Sequence, residues 1–126
     1  KLVQGARVLV MGLTFKEDIR DTRNSKIHDT IKKLQSYGVK VLGFDPNLFQ
    51  EEVEKFGVEY VKDLASAGKL DGIVLSVIHR QFKDITLQNL ESACGGEGRG
   101  VLVDIKSRFL SEVKSGEARS LIYKCL

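Results

Sequence analysis

Apolar runs of strand length recur through this chain with helix-sized intervals between them: RVLVMGL (7–13), VKVLGFDP (39–46), DGIVLSVIH (71–79) and GVLVDIK (100–106). Near-continuous hydrophobicity marks strands buried on both faces, and such strands belong to parallel sheets covered by helices on either side. Parallel neighbours need crossover connections, which are right-handed and commonly helical. The intervening segments meet that demand. SKIHDTIKKLQSYG (25–38) sets Ile27, Ile31 and Leu34 at helical spacing, offers Asn24 or Ser25 as a cap, and stops on Gly38, which tolerates a left-handed terminator. LFQEEVEKFG (48–57) reads as a short helix with Phe49, Val53 and Phe56 inward. VEYV (58–61) reads as a brief edge strand, DLASAG (63–68) as a helical turn, LQNLESACG (87–95) as a helix and SLIYKCL (120–126) as a last strand.

The expected fold class is therefore α/β: a three-layer α/β/α, doubly wound, mostly parallel and Rossmann-like sheet in a single domain, with RVLVMGL at its centre. A length of 126 residues suits one such core and leaves no second. Lysine and arginine number 20 against 17 acids, a formal charge of +3 spread along the chain, which argues against a nucleic-acid partner. No stretch is apolar enough for a signal peptide or a membrane span. Cys94 and Cys125 show neither metal-ligand spacing nor a disulfide framework, and both are expected as packed thiols in a reducing, cytoplasmic setting. CGGEGRG (94–100) reads as a flexible connector. The opening KLVQGARVLV enters a core strand almost at once and lacks an initiator methionine, as expected of a domain cut from a longer protein.

Ligands of doubly wound sheets collect beyond the carboxyl ends of the strands. There the chain carries GLTFKEDIRDTRNS (12–25), a joint much longer and more charged than a strand-to-helix connection needs. A dinucleotide site would show G-x-G-x-x-G, yet after Gly12 no glycine follows until Gly38, so direct NAD binding in the Rossmann manner is not expected. Asp45 lies 33 residues after Gly12, too far for the ribose-binding acid of that fingerprint, and FDP reads first as a strand-ending Asx turn. Lys16, Arg20 and Arg23 alternate with Glu17, Asp18 and Asp21, so the loop is neutral overall and any anion selectivity must come from placement. Two readings stay open on the residues alone. Lys16 and the amino end of the next helix, with Arg23 at its mouth, form a seat for a phosphorylated ligand; or the charges neutralise one another on a solvated surface.

GLTFKEDIRDTRNSKIHDTIKKL followed by YGVKVLGFDP closely resembles the start of the C-terminal, UDP-binding domain of the UDP-glucose/GDP-mannose dehydrogenase family, the nucleotide-sugar 6-dehydrogenases. In that family the loop reads approximately G-[LF]-[AT]-F-K, a spacer, then D-x-R-x-S, and Gly12, Phe15, Lys16, Asp21, Arg23 and Ser25 stand in register. Phe44, Asp45 and Pro46 match the later YDP-like turn, DGIVLSVIH matches a strand ending in His or Trp, and VDIK matches a late D-x-[KR] segment.

The resemblance implies a three-part enzyme in which residues 1–126 form the nucleotide-sugar-binding part. An NAD-binding domain and a central dimerising helical region would lie elsewhere in the parent chain, which would assemble as a homo-oligomer. The implied reaction oxidises the C6 alcohol of a UDP-sugar, a UDP-N-acetylhexosamine or a relative, to a carboxylate in two hydride transfers. It uses two NAD and a cysteine thiohemiacetal, the cysteine lying outside this chain, so the isolated chain is expected to be inactive. By the same resemblance Phe15 and Lys16 contact the UDP-sugar, Lys16 on the diphosphate side. Lys106 supplies a second cation, His79 lies toward the uracil, and Arg23 faces the NAD held by the missing domain. No metal is implied.

Two rivals come from other classes. A phosphoacceptor receiver has a similar length and sheet, but its acceptor aspartate should end the middle strand, where this chain reads SVIHRQ. A stand-alone nucleotide-binding regulatory domain is the other.

Overall fold

In the computed structural model, residues 4–14, 18, 26–94, 100–116 and 121–125 are described. Among them the six strands are β1 (Arg7–Met11), β2 (Lys40–Phe44), β3 (Glu59–Tyr60), β4 (Gly72–Leu75), β5 (Gly100–Asp104) and β6 (Leu121–Cys125). The helices are α1 (Ile27–Ser36), α2 (Gln50–Glu54), α3 (Leu87–Ala93) and α4 (Leu110–Lys114), with 3-10 turns at Ala65–Ala67 and Arg80–Phe82. The strands pair in the order β3-β2-β1-β4-β5-β6, and every pairing is parallel rather than mostly so. This is the doubly wound order, with its reversal between β1 and β4.

Strands β1, β2, β4 and β5 divide their side chains between two cores, as the two-residue period requires. Leu9 and Met11 of β1 join Leu42, Ile73, Leu75 and Leu102 on one face, closed by Leu87 and Leu90 of α3 and by Ala67 and Phe82 of the 3-10 turns. Val10 joins Val41 and Val74 on the other, closed by Ile27 and Ile31 of α1 and by Val53 and Phe56 around α2. Covering both faces explains why the strand runs carry so few polar positions.

Helix α1 ends as expected. Gly38 adopts φ 82°, its N–H donates to the Gln35 carbonyl at 3.0 Å, and the Val39 N–H returns to Leu34 O at 3.3 Å, closing the carbonyls of the last turn. The proposed caps, Asn24 and Ser25, lie outside the described residues; the cap position falls on Lys26, with no side-chain hydrogen bond. Phe49 corrects the reading of α2. It was expected inward but is 66% exposed, because the helix begins only at Gln50 and Phe49 precedes it in extended conformation. Leu48 takes the buried place, and Glu52 Oε1 accepts the Phe49 N–H at 2.8 Å.

At the amino edge of the sheet, Arg7 binds the crossover into β4. Its guanidinium donates to the carbonyls of Lys69 (2.6 Å) and Ala67 (2.8 Å), and its own N–H meets Asp71 Oδ2 at 2.9 Å. Cys94 is packed at the end of α3, and a β-carbon on Gly100 would sit 2.5 Å from its Cβ, so that approach requires glycine. Cys125, expected to be packed, is exposed: it is the last residue of the edge strand β6, beyond Leu121 and Tyr123, which share its row and pack on the core.

Candidate functional site at the carboxyl edge

Beyond the carboxyl ends of β1, β2 and β4, the exit turns are tied together by polar side chains withdrawn from solvent. Gly12 follows β1 at φ 90°, where a β-carbon would lie 2.4 Å from Val77 Cγ2 and 2.7 Å from Val77 O. The glycine thus serves the close passage of β1 past the β4 exit.

Asp45 is 2% exposed. Its Oδ1 accepts the Asn47 N–H at 2.9 Å, an Asx turn that ends β2 as the FDP sequence implied. Its Oδ2 accepts the Leu13 N–H at 2.7 Å and lies 2.9 Å from His79 Nε2. Asp45 therefore joins the exits of β1, β2 and β4 and has neither oxygen turned to solvent for a ribose.

His79 is wholly buried. Its Nδ1 is 2.8 Å from the backbone N–H of Asp18 and 3.0 Å from Asn47 Nδ2, and Thr14 Oγ1 is 3.4 Å from Nε2. Asp18 Oδ1 in turn accepts the Arg80 N–H at 2.6 Å. The ring, expected toward the uracil, is engaged by protein groups on both nitrogens.

Lys106 is exposed in the turn after β5. Asp104, buried at the end of that strand, accepts N–H bonds from Arg108 (3.0 Å) and Phe109 (2.7 Å) and the hydroxyl proton of Tyr123 (2.6 Å). Burial, then the hydrogen bond and charge of Asp104, raise the Tyr123 pKa well above its usual 10. Ser107, next to Lys106, holds a left-handed φ of 58°. The carboxylate of Asp104 thus shapes the turn that carries Lys106.

Of the five residues expected to bind ligand, the structure describes two, His79 and Lys106, both at the carboxyl edge on the exits of adjacent strands. Phe15, Lys16 and Arg23 lie outside the described residues. Sequence reasoning passed over Asp18, Asn47 and Asp104. The available signal was positional, since two of these follow or end a strand as Asp45 does. Elsewhere, a groove of about 840 Å³ between the Ala65–Ala67 turn and α3 is lined mainly by side chains such as Leu64, Ile85 and Ala93 and lacks such a convergence of buried polar groups. Among the described residues no three His, Cys, Asp or Glu side chains are grouped to hold a metal ion, and no helix is long and apolar enough to cross a membrane.

Residues 9–110 match the family described as the UDP-glucose/GDP-mannose dehydrogenase family, UDP binding domain. The chain is 41% identical over 114 residues to a UDP-N-acetyl-D-glucosamine 6-dehydrogenase of Pseudomonas aeruginosa, covering 90% of this chain and 26% of that protein. It is 38% identical over 105 residues to the enzyme of the same name from Salmonella typhi, covering 82% and 24%. Its fold is similar to that of an NDP-N-acetyl-D-galactosaminuronic acid dehydrogenase from Methanosarcina mazei Go1, with a TM-score of 0.77 at 20% identity over 99% of this chain and 25% of that one. The chain therefore spans about a quarter of the length of the proteins it matches.

Proposed function

Because the chain belongs to the UDP-glucose/GDP-mannose dehydrogenase family, matching its UDP binding domain, we propose that it binds the nucleotide sugar of an NAD-dependent 6-dehydrogenase. The substrate class we infer is a UDP-N-acetylhexosamine, on the strength of the similarity to two bacterial UDP-N-acetyl-D-glucosamine 6-dehydrogenases. Such an enzyme oxidises the C6 alcohol of the sugar to a carboxylate. No step of that oxidation is assigned to this chain, whose part is to hold the substrate.

In this reading Lys16 pairs with the diphosphate and Lys106 adds a second cation from the neighbouring edge. Phe15 packs on the apolar part of the ligand, and Arg23 faces the NAD bound by another part of the protein. His79 acts from beneath the surface. The observation that carries the reading is the fate of the dinucleotide features. Gly12 packs closely on Val77 with no glycine following until Gly38, and Asp45 is consumed by Leu13, Asn47 and His79, while Lys106 is left exposed at the same edge. That pattern supports a ligand held by cationic side chains rather than by backbone approach to a pyrophosphate.

Calorimetric titration of the chain with UDP, UDP-N-acetylglucosamine, GDP-mannose and NAD tests this. UDP compounds should bind and NAD should not, and Lys16→Ala should weaken UDP by about tenfold, the loss of one charge-assisted contact. NAD binding as tight as UDP, or no UDP binding at all, would overturn the assignment.

A further inference from the structure

We propose that His79 is a positioning residue of this site: its Nδ1 anchors the joint between β1 and α1 by accepting the backbone proton of Asp18, and Asp45 fixes the tautomer that makes this possible. What the joint serves rests on the nucleotide-sugar reading above; the anchor itself does not.

A backbone N–H can only donate. At 2.8 Å from the Asp18 amide, His79 Nδ1 must present its lone pair. Asn47 points the same way independently. Its Oδ1 accepts from Gln81 Nε2 at 2.7 Å, which turns its amide nitrogen toward the ring, 3.0 Å from Nδ1. The proton of the neutral ring is then on Nε2, which faces Asp45 Oδ2 at 2.9 Å. That carboxylate is held in place by the Leu13 and Asn47 N–H groups. Asp45 thus sets the ring from below, and the ring offers an acceptor above.

Asp18 is gripped twice. Besides its N–H on His79, its Oδ1 accepts the Arg80 N–H at 2.6 Å. It adopts φ 61°, a left-handed conformation unfavourable for an L-residue and one that aspartate tolerates better than most. Two hydrogen bonds to consecutive residues of the β4 exit offset that cost. The fourteen-residue joint is thereby divided in sequence into two shorter spans, with Lys16 two positions before the anchor and Arg23 five after it.

Two substitutions separate the nitrogens. His79→Asn places an oxygen near the Nδ1 position and gives up the reach to Asp45. His79→Gln keeps a donor near Nε2 and gives up the acceptor for Asp18. With UDP as the probe, His79→Asn should stay within about threefold of wild type, whereas His79→Gln should bind about tenfold more weakly. Solvent exchange of the Asp18 amide should accelerate about tenfold in His79→Gln alone. A purely structural role would instead rank affinity by stability, with the Asn variant, which leaves Asp45 short of a donor, as the weaker binder. Nitrogen NMR of the wild-type ring should show Nδ1 bare and Nε2 protonated.

A proton on Nδ1 overturns the anchor, as does a His79→Gln variant with wild-type UDP affinity and Asp18 exchange. If the wild-type chain ignores UDP, the nucleotide-sugar reading falls, and ring tautomer and Asp18 exchange still decide the anchor. If either variant fails to fold, the wild-type tautomer decides it.

Discussion

His79 Nε2 and Asp45 Oδ2 stand 2.9 Å apart with both side chains shut off from solvent, at positions 34 residues apart in the chain. The pair joins the exits of β2 and β4, and the Leu13 N–H on the same carboxylate oxygen adds β1.

Removing that carboxylate leaves buried donors without partners. Asp45→Ala should destabilise the fold by about 3 kcal/mol, since Leu13 N–H, Asn47 N–H and the ring donor all lose their acceptor. Asp45→Asn retains an acceptor oxygen and should cost about half as much. Urea denaturation with unchanged slope checks both, and an Asp45→Ala loss under about 1 kcal/mol would show the network to be dispensable.

Gly12→Ala combines strain with collision. The residue holds φ 90°, and the new methyl would lie 2.4 Å from Val77 Cγ2 and 2.7 Å from Val77 O. We expect a loss of at least about 3 kcal/mol. Val77→Ala in the same chain should recover only part of it, because the contact with the backbone oxygen persists. Full recovery in the double mutant would mean that the side chain alone dictates the glycine.

Tyr123 supplies a pH signature. Its folded pKa lies above the unfolded value of 10, raised by burial and by Asp104. Its contribution to stability is therefore fully present below pH 10 and is lost as pH rises through the folded pKa. The stability gap between wild type and Tyr123→Phe should be constant at neutral pH, about 1 kcal/mol for a partly exposed bond, and should change only above pH 10. A gap that changes between pH 7 and 9 contradicts the bond to Asp104.

The two thiols should separate by reactivity. Cys125 is exposed and Cys94 is packed beneath Gly100. A disulfide reagent should modify one thiol within minutes in native conditions and the second only on unfolding, at least about a hundredfold more slowly. Equal rates would contradict the packing at the end of α3.

The sheet was legible because hydrophobic burial writes itself into contiguous residues: β1, β2, β4 and β5 fall inside the four apolar runs, and Gly38 stops α1 where its spacing ends. Short elements were harder. Helix α4 escaped notice since it buries no residue completely, and Phe49 was misplaced because a one-residue shift in helix start turns a side chain from core to solvent. The Asx turn at Asp45 could be read locally, being a contact between residues two apart. Its bonds to Leu13 and His79 could not, because they join segments that only the strand order brings together. Asp18 was legible as a charge, whereas its left-handed backbone is visible only in three dimensions.

The placement of Asp45 bears on attempts to reprogram what this domain binds. Grafting a glycine-rich turn after β1 and reassigning the β2 acid to a sugar hydroxyl, the usual recipe for a dinucleotide pocket, would here withdraw the carboxylate that Leu13, Asn47 and His79 share. Ligand exchange and structural integrity draw on the same atoms, so such an engineered swap would need a substitute keystone installed first.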